Sequence, residues 1–238
     1  MSAAKRLMEG YTPGFRHELK YYISQKDYAL MHMKLQRAME CDRHARATGG
    51  EYHIRSLYFD DYLDSALSTK LAGSDERAKY RIRIYNLRDD VIKLECKEKK
   101  GSYIHKSSLS LNRYECESLL GGERRFLLGR PEPFARRMYM AFLGGLRPVV
   151  IVDYVREPYV FPLEDVRVTF DKDIRTGFRS TDLFNPAIPT YPAIPEYDMV
   201  MEVKYNRYLS TYVRSLLQCG PALQSAISKY CMCRRYGP

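Results

Sequence analysis

The residues that could do chemistry begin with a stretch, 79–99, in which charged side chains occupy alternate positions of two short runs. They are Lys79, Arg81, Arg83, Lys93, Glu95, Lys97 and Lys99. Guanidinium and ammonium groups are common protein ligands of phosphate oxygens, and arginine adds a forked geometry. Like charges that face each other across a sheet destabilise it. This excess of bases over acids therefore favours a polyanion ligand, although a lysine-rich strand face in solvent would show the same pattern.

Further charged side chains at alternate positions extend this set along the chain. They are Arg16, Glu18, Lys20, Lys106, Arg156, Arg167, Asp171, Glu202 and Lys204. Phosphoryl transfer relies on positioning and charge neutralisation more than on covalent help from the protein, so such a set is suited to it. The chain has no glycine-rich P-loop, no histidine pair with metal-ligand spacing and no evident nucleophile with its base. The chemistry indicated by these residues is phosphate binding and transfer.

Composition limits the class of protein. The chain has 238 residues, 45% hydrophobic and 29% charged, with a formal net charge of +10, which is typical of a globular protein with anionic partners. Its cysteines lack zinc-ligand spacing, and neither a secretory signal nor an apolar run of membrane-spanning length is visible. We therefore expect a cytoplasmic protein with free thiols and no membrane span. A peripheral membrane partner and the oligomeric state stay open.

The elements that must position these residues are predicted from periodicity. Period-two alternation predicts eight strands, at 15–24, 52–60, 79–85, 91–99, 103–111, 148–157, 166–174 and 199–205. Helical spacing and capping residues predict helices at 25–40, 62–71, 113–120, 133–143, 209–217 and 222–234. Hairpins and short helical excursions between strands indicate an α+β fold, an eight-stranded antiparallel β tunnel (barrel) with a basic lumen and flanking helices. We expect one domain over 1–238, with its core at about 15–235.

The polar face of the predicted strands would line the lumen, and the apolar face would lie beneath the helices. So many cations could not be enclosed without counter-charges. A few carboxylates, a linear polyanion and a divalent metal would supply them. Glu202 lies between Met201 and Val203 in an apolar strand, so it is expected to bind a metal or, alternatively, to pair with a lumen arginine.

Seven short segments occur in an order that resembles the VTC (vacuolar transporter chaperone) domain of the triphosphate tunnel metalloenzyme and CYTH-like superfamily. They are RHELKY (16–21), SLYFD (56–60), YRIR (80–83), LECK (94–97), RVTFD (167–171), MEVKY (201–205) and SKY (228–230). The resemblance extends over nearly the whole chain, from about residue 15 to residue 230.

The resemblance implies a tunnel enzyme that transfers the terminal phosphoryl group of ATP to a growing inorganic polyphosphate chain, with Mn²⁺ or Mg²⁺ as cofactor. Catalytic roles are expected for Lys20, Arg81, Arg83, Lys97, Arg156 and Lys229. Substrate-binding roles are expected for Arg16, Lys93, Lys106, Tyr154, Arg167, Lys204 and Ser228. ATP and inorganic polyphosphate are the expected partners, and no specific nucleic acid is expected.

The resemblance also assigns the metal. Glu202 matches the metal-binding carboxylate of the family, whereas Glu18 and Glu95 would either assist the metal, orient a nucleophile or pair with lysines, of which we favour pairing. One departure concerns Arg16, which stands where the broader superfamily has the first of two glutamates. A metal ligand is lost there, which weakens the comparison with hydrolases and adds a phosphate-binding group.

Two other functions remain beside the expected ATP:polyphosphate phosphotransferase of the polyphosphate kinase type. A hydrolase of inorganic tripolyphosphate or nucleoside triphosphate would use the same tunnel, but it needs a positioned water and usually more acidic ligands. A non-catalytic module that binds polyphosphate or nucleic acid would use the bases together with interleaved tyrosines. An exposed groove, rather than an enclosed lumen, would be expected of a nucleic-acid binder.

Overall fold

The computed structural model describes residues 17–101, 103–194, 199–206, 208–218 and 223–235. The elements in chain order are β1 (His17–Ile23), α1 (Gln25–Ala38), β2 (Glu40–Cys41), α2 (Arg43–Arg46), β3 (Tyr52–Asp60), α3 (Ser65–Leu71), β4 (Glu76–Tyr85), β5 (Arg88–Lys100), β6 (Tyr103–Leu111), α4 (Arg113–Leu120), α5 (Pro133–Leu143), β7 (Arg147–Phe161), β8 (Val166–Thr176), β9 (Tyr191–Pro192), β10 (Met199–Tyr205), α6 (Thr211–Leu217), β11 (Leu223–Gln224) and α7 (Lys229–Arg234). Short 3₁₀ helices lie at Arg125–Gly129 and Pro162–Glu164.

All strands belong to one antiparallel sheet with the order β11-β1-β10-β8-β7-β3-β4-β5-β6, to which β2 and β9 add at β7 and β8. Eight of these strands are long, and β2, β9 and β11 have 2 residues each. The predicted eight-stranded α+β fold is confirmed. The sheet curls into a half-barrel, and within the described residues no ladder joins β6 to β1 or β11. An ion pair crosses this opening instead, with Lys97 Nζ 3.2 Å from Glu18 Oε2.

The hairpin between β4 and β5 is tighter than the sequence predicted. A connection over 86–90 was expected, whereas Tyr85 pairs with Arg88 and only Asn86 and Leu87 form the turn. Both turn residues have positive φ, 51° and 57°, as two-residue turns of the type I′ class require. The pairing shifts register between Arg83 and Tyr85, beside the turn, whereas the regular pairing from Arg83 and Lys93 to the other end of the hairpin keeps the charged side chains of both strands on one face.

Helices cover the convex face of the sheet, as the apolar strand face predicted. Leu57, Ile82 and Leu94 pack with Met138 of α5 in one cluster, and all four are fully buried. A second cluster joins α1 and α6 to β8 and β10. Each fully buried aliphatic side chain contributes roughly 1.5–3 kcal/mol relative to an exposed one. These two clusters bury the apolar face of the sheet beneath the helices, and a third packs α7 against apolar residues of β3, β7 and β10 on the concave side, beside the charged positions.

The C-terminal segment differs from the prediction of a helix over 222–234. β11 pairs with β1, the chain then runs extended, and α7 begins only at Lys229, with Ser228 Oγ accepting a hydrogen bond from Cys231 N at 3.3 Å. α7 packs at one end of the concave face, where the Tyr230 ring stacks on Tyr58 at 5.1 Å. We call the space on the concave side of the sheet the bore, and this end of it, where β4 begins and β5 ends, the α7 end.

None of the helices in the described ranges combines the length and the apolar character needed to cross a bilayer.

Candidate functional site

The strand register brings most of the sequence-predicted site residues onto the concave face. Lys20 lies opposite Glu202, Arg81 opposite Glu95, and Lys97 opposite Lys106. The strand residues with a predicted site role that share this face are Glu18, Lys20, Arg81, Arg83, Lys93, Glu95, Lys97, Lys106, Tyr154, Arg156, Arg167, Glu202 and Lys204. Ser228 and Lys229 reach the same space from α7. Arg16 lies outside the described residues.

One wall of the bore is organised around the carboxylate of Glu95. Arg81 Nε donates to Glu95 Oε2 at 2.7 Å, Arg83 Nη1 lies 4.0 Å from the same oxygen, and Lys106 pairs with the other oxygen. Burial alone would raise the pKa of Glu95, but the three cations outweigh it and lower the pKa to about 2. A carboxylate surrounded by three bases is a counter-charge that holds them in place, which favours the pairing role over metal binding.

Neutral donors and acceptors fix the orientation of the two arginines on this wall. Arg81 Nη1 donates to the hydroxyl of Tyr58 at 2.9 Å. Arg83 donates to Ser56 Oγ at 3.2 Å and to the hydroxyl of Tyr154 at 3.3 Å. Guanidinium groups held in this way present fixed donors to a phosphate, so their binding entropy cost is reduced.

The opposite wall combines two carboxylates with two lysines. Lys20 Nζ lies 2.8 Å from Glu18 Oε1 and 3.8 Å from Glu202 Oε2, and Lys204 pairs with the other oxygen of Glu202. Burial would raise the pKa of Glu202, but the nearby lysines hold it well below its usual range. Burial and Glu202 would likewise raise the pKa of Glu18, yet the lysines lower it to about 2. Both carboxylates are therefore ionised at neutral pH.

The floor of the bore is a buried ion triad. Asp171 is 0% exposed and accepts two hydrogen bonds from Arg156, at 2.7 and 2.8 Å, and it also pairs with Lys229. Burial would raise the pKa of Asp171, but Arg156 and Lys229 lower it. The Tyr154 ring lies beneath both cations, 5.4 Å from Arg156 and 4.9 Å from Lys229. This contact ties α7 to β7 and β8.

Lys93 and Arg167 lie apart from this central group. Lys93 Nζ donates to Ser110 Oγ at 2.6 Å, and Arg167 pairs with Asp42 at 3.1 Å. Both lie toward the end of the bore that is remote from α7, since Lys93 is in the first half of β5 and Arg167 is near the start of β8. They extend the basic surface without contacting the central carboxylates.

The carboxylates of the bore form a small donor set for a metal ion. Among the described residues, no three His, Cys, Asp or Glu side chains group closely enough to hold an ion by themselves. Glu18 and Glu202 lie on adjacent strands and share Lys20. Mg²⁺ commonly takes one or two carboxylates together with substrate phosphates and waters. The pair therefore fits a metal that arrives with a phosphorylated substrate.

The sequence placed Lys79 on the basic strand face, but a site role was predicted neither for it nor for Tyr58. Both line a cavity of about 40 Å³ together with Arg81, Glu95, Lys97 and Lys106. Burial lowers the pKa of Lys79 to about 8. Burial would raise the pKa of Tyr58, but the arginines outweigh it and lower the pKa to about 8. The period-two alternation of Arg81 and Arg83 extends to Lys79, so it was the sequence signal for that residue. The packing of α7 over Tyr58 has no signal in the local sequence.

These two groups predict a pH dependence of anion binding. As pH rises through about 8, Lys79 loses its positive charge and Tyr58 gains a negative one. The net charge of the bore therefore falls by two units. We expect the affinity for polyphosphate to fall between pH 7 and pH 9 by about tenfold or more. Isothermal titration at several pH values measures this. The double change Tyr58→Phe and Lys79→Met should flatten the profile, and an unchanged profile in that variant would contradict the assignment.

A second polar cluster lies on the convex face, outside the bore. The carboxylate of Glu157, 6% exposed, accepts hydrogen bonds from Tyr28 at 2.6 Å, Tyr159 at 2.5 Å and Lys172 at 3.0 Å, and lies 2.7 Å from His32. These residues border a cavity of about 380 Å³ beneath α1. Every oxygen of Glu157 is already occupied by protein donors, so this cluster ties α1 to β7 and β8 rather than offering an open site.

Comparison with known proteins agrees with the fold. The model of the VTC domain matches residues 15–236. The structure is similar to "putative adenylyl cyclase HpAC1" from Hippeastrum, for which a dominant triphosphatase activity is described, with a TM-score of 0.56 and 16% identity over 93% of this chain and 96% of that one. It is also similar to a "putative adenylate cyclase" from Bacillus halodurans, with a TM-score of 0.48 and 11% identity over 85% and 83% of the two chains. A search of curated proteins finds no significant match.

The match over residues 15–236 confirms the resemblance of the seven segments, and the chain belongs to the VTC domain family.

Proposed function

We propose that this protein is a polyphosphate polymerase that transfers the terminal phosphoryl group of ATP to inorganic polyphosphate. One observation carries the proposal. The centre of the bore, as far as the chain is described, holds about twice as many bases as carboxylates. The bases are Lys20, Arg81, Arg83, Lys97, Lys106, Arg156, Lys204 and Lys229, and the carboxylates are Glu18, Glu95, Asp171 and Glu202. An elongated polyanion supplies the missing negative charge.

The transfer itself needs little from the protein beyond alignment and neutralisation. A terminal oxygen of the polyphosphate chain bonds to the γ-phosphorus of ATP, the bond from that phosphorus to the β,γ-bridging oxygen breaks, and ADP leaves with the electron pair. The acceptor oxygen of polyphosphate is already ionised, so no general base is required. Arg81 and Arg83 are held by fixed hydrogen bonds and can stabilise charge on the transferring group.

The remaining predicted residues take roles by their place in the bore. We assign catalytic contacts to Lys20, Arg81, Arg83, Lys97, Arg156 and Lys229. We assign substrate binding to Lys93, Lys106, Tyr154, Arg167, Lys204 and Ser228, of which Lys93 and Arg167 lie away from the centre, and we propose the same role for Arg16. Glu202, assisted by Glu18, would hold Mn²⁺ or Mg²⁺, which would neutralise phosphate oxygens when bound. Glu95 orients the bases on its wall.

The test is turnover by purified protein with ATP and either Mn²⁺ or Mg²⁺. We expect a ladder of polyphosphate chains on a gel, one ADP released for each phosphate added, and no product when the metal is chelated. Chains that a specific exopolyphosphatase degrades would establish the polymer. Release of free phosphate without any chain would contradict the proposal.

A tripolyphosphate or nucleoside triphosphate hydrolase is the second candidate. The described triphosphatase activity of the Hippeastrum protein, which shares the fold, favours it. Hydrolysis requires a water positioned by an acceptor, and the carboxylates Glu18, Glu95 and Glu202 are all paired with cations. The same assay separates the two candidates, because only the hydrolase yields phosphate in proportion to ADP.

A further inference from the structure

The basic face of β4 and β5 continues past the predicted site toward the α7 end. Lys79 lies directly opposite Lys97, and Arg77 lies directly opposite Lys99. Like charges at directly opposed positions destabilise an antiparallel pair. Within the described residues, Lys97 pairs with Glu18 and Lys99 pairs with Asp75, whose side chain is 77% exposed, whereas Lys79 and Arg77 have no carboxylate partner. The local charge is thus incompletely balanced by the protein.

Lys79 connects these opposed residue pairs of β4 and β5 to the centre of the bore. Its Nζ donates to Ser228 Oγ at 2.7 Å and lies 5.7 Å from the centre of the Tyr230 ring. It shares one cavity with Arg81 and Lys97. Its burial by α7 removes water from around the ammonium group, which makes an anionic partner more valuable there than at an exposed lysine.

The length of this basic segment of β4 and β5 decides which substrate can contact all of it. From Arg81 to Arg77 the strand rises by roughly 13 Å, at about 3.3 Å per residue. A phosphate held at Arg81 and Arg83 would need several further phosphates in line to contact Lys79, Arg77 and Lys99. A triphosphate that is centred on the arginines and carries a nucleoside at its far end does not supply them. A long linear chain does.

We infer that Lys79, Arg77 and Lys99 form a binding track for long polyphosphate that leads from the centre of the bore to the α7 end. The inference rests on the proposed function for the identity of the polyanion, and it assigns the polymer rather than the nucleotide to this end. The track binds successive phosphates through three cations and favours long chains over short ones.

The experiment compares long-chain polyphosphate with tripolyphosphate as ligands, without ATP. Binding is measured for the wild type and for the double change Arg77→Gln and Lys99→Gln. We expect the ratio of long-chain to tripolyphosphate affinity to fall by about tenfold in the variant. The matched control is Lys26→Gln and Arg37→Gln, which removes the same charge from exposed positions of α1. The control should leave the ratio unchanged.

A second measurement uses the wild type alone, so it stays informative even when the Arg77→Gln and Lys99→Gln variant misfolds. The affinity of the wild type for long chains should fall more steeply with salt than its affinity for tripolyphosphate, because each phosphate contact adds to the slope of log affinity against log salt. Three further contacts predict a difference of roughly two in that slope. Equal slopes for the two ligands would overturn the track.

Other outcomes separate this inference from the proposed function. If the wild type prefers long chains and the variant loses that preference, the track holds even when ATP yields no polymer. If polymer forms from ATP but the affinity ratio is the same in wild type and variant, the track is wrong and the proposed function stands. Binding of a single-stranded RNA as tightly as polyphosphate, with the same loss in the variant, would overturn the choice of ligand.

Discussion

Replacing Glu202 with Gln is expected to lower polyphosphate synthesis by about 100-fold or more, while polyphosphate binding without metal is retained. Glu202 is 5% exposed and pairs with Lys20 and Lys204. Its low pKa, set by those lysines against the effect of burial, keeps it ionised at any ordinary assay pH. Glutamine keeps the volume of the side chain but removes the charge that a divalent cation requires, and loss of one such group typically costs two to three orders of magnitude in rate, or about 3–4 kcal/mol.

Three readouts distinguish a metal ligand from a residue that only supports the bore. Turnover should fall, the metal concentration for half-maximal rate should rise, and metal-free binding of polyphosphate should stay equal or tighten, because the bore has become more positive by one charge. Glu95→Gln offers a comparison within the bore, since Glu95 pairs with Arg81 rather than with the Glu202 group. We expect that variant to lose activity without a change in its metal requirement.

The control for Glu202→Gln is Glu117→Gln, an exposed position on α4 whose only described partner is Arg113. It should behave as the wild type in all three readouts. Full turnover of Glu202→Gln at an unchanged metal requirement would refute the metal assignment. A parallel loss of turnover and metal-free binding would assign Glu202 to holding Lys20 and Lys204 in place.

The faces of the strands could be predicted because period two needs no tertiary information. Alternation placed Arg81, Arg83 and Lys97 on one face before any pairing was known, and the register confirms their common side. The apolar positions between them, such as Ile82 and Leu94, are fully buried on the other side. Burial of one face fixes the register of a strand, so the basic bore follows from the pattern of these residues.

The partners of each base could not be predicted, because they depend on contacts between distant parts of the chain. Lys97 pairs with Glu18 across the opening of the half-barrel, 79 positions apart in sequence. Nothing in the local pattern around either residue specifies that contact. The C-terminal segment gave a similar difficulty, since helical spacing over 222–234 concealed β11 and an extended run. The burial of Lys79 by Ser228 follows from that path and was missed with it.

The ion triad on the floor of the bore carries the largest expected effect on stability. Asp171→Asn should lower the free energy of unfolding by about 3–5 kcal/mol, because the change leaves Arg156 and Lys229 without their shared counter-charge in a buried setting. Chemical denaturation at neutral pH measures the loss. The control is Asp173→Asn on the same strand, where the Asp173 side chain is 63% exposed and pairs with Arg175 at 3.2 Å. An exposed pair of this kind contributes at most about 1 kcal/mol.

The pH dependence of this loss has a definite sign. The folded-state pKa of Asp171 is lowered by Arg156 and Lys229 against the effect of burial, so its ionised form stabilises the fold at any pH above the unfolded-state pKa of about 3.9. The stability difference between wild type and Asp171→Asn should therefore be constant from neutral pH down to about pH 5. It should shrink as the pH falls further, through the folded-state pKa of Asp171.

Polyphosphate provides the decisive part of the same test. Once Asp171 no longer occupies them, Arg156 and Lys229 are available to phosphate oxygens, so polyphosphate should bind Asp171→Asn more tightly than the wild type. By linkage, ligand that binds only the folded state stabilises in proportion to the logarithm of its concentration over Kd. The stability gap between the two proteins should then narrow as polyphosphate is added. A gap that stays constant at saturating polyphosphate would mean that these two cations do not face the polymer, and the bore would lose its floor as a binding surface.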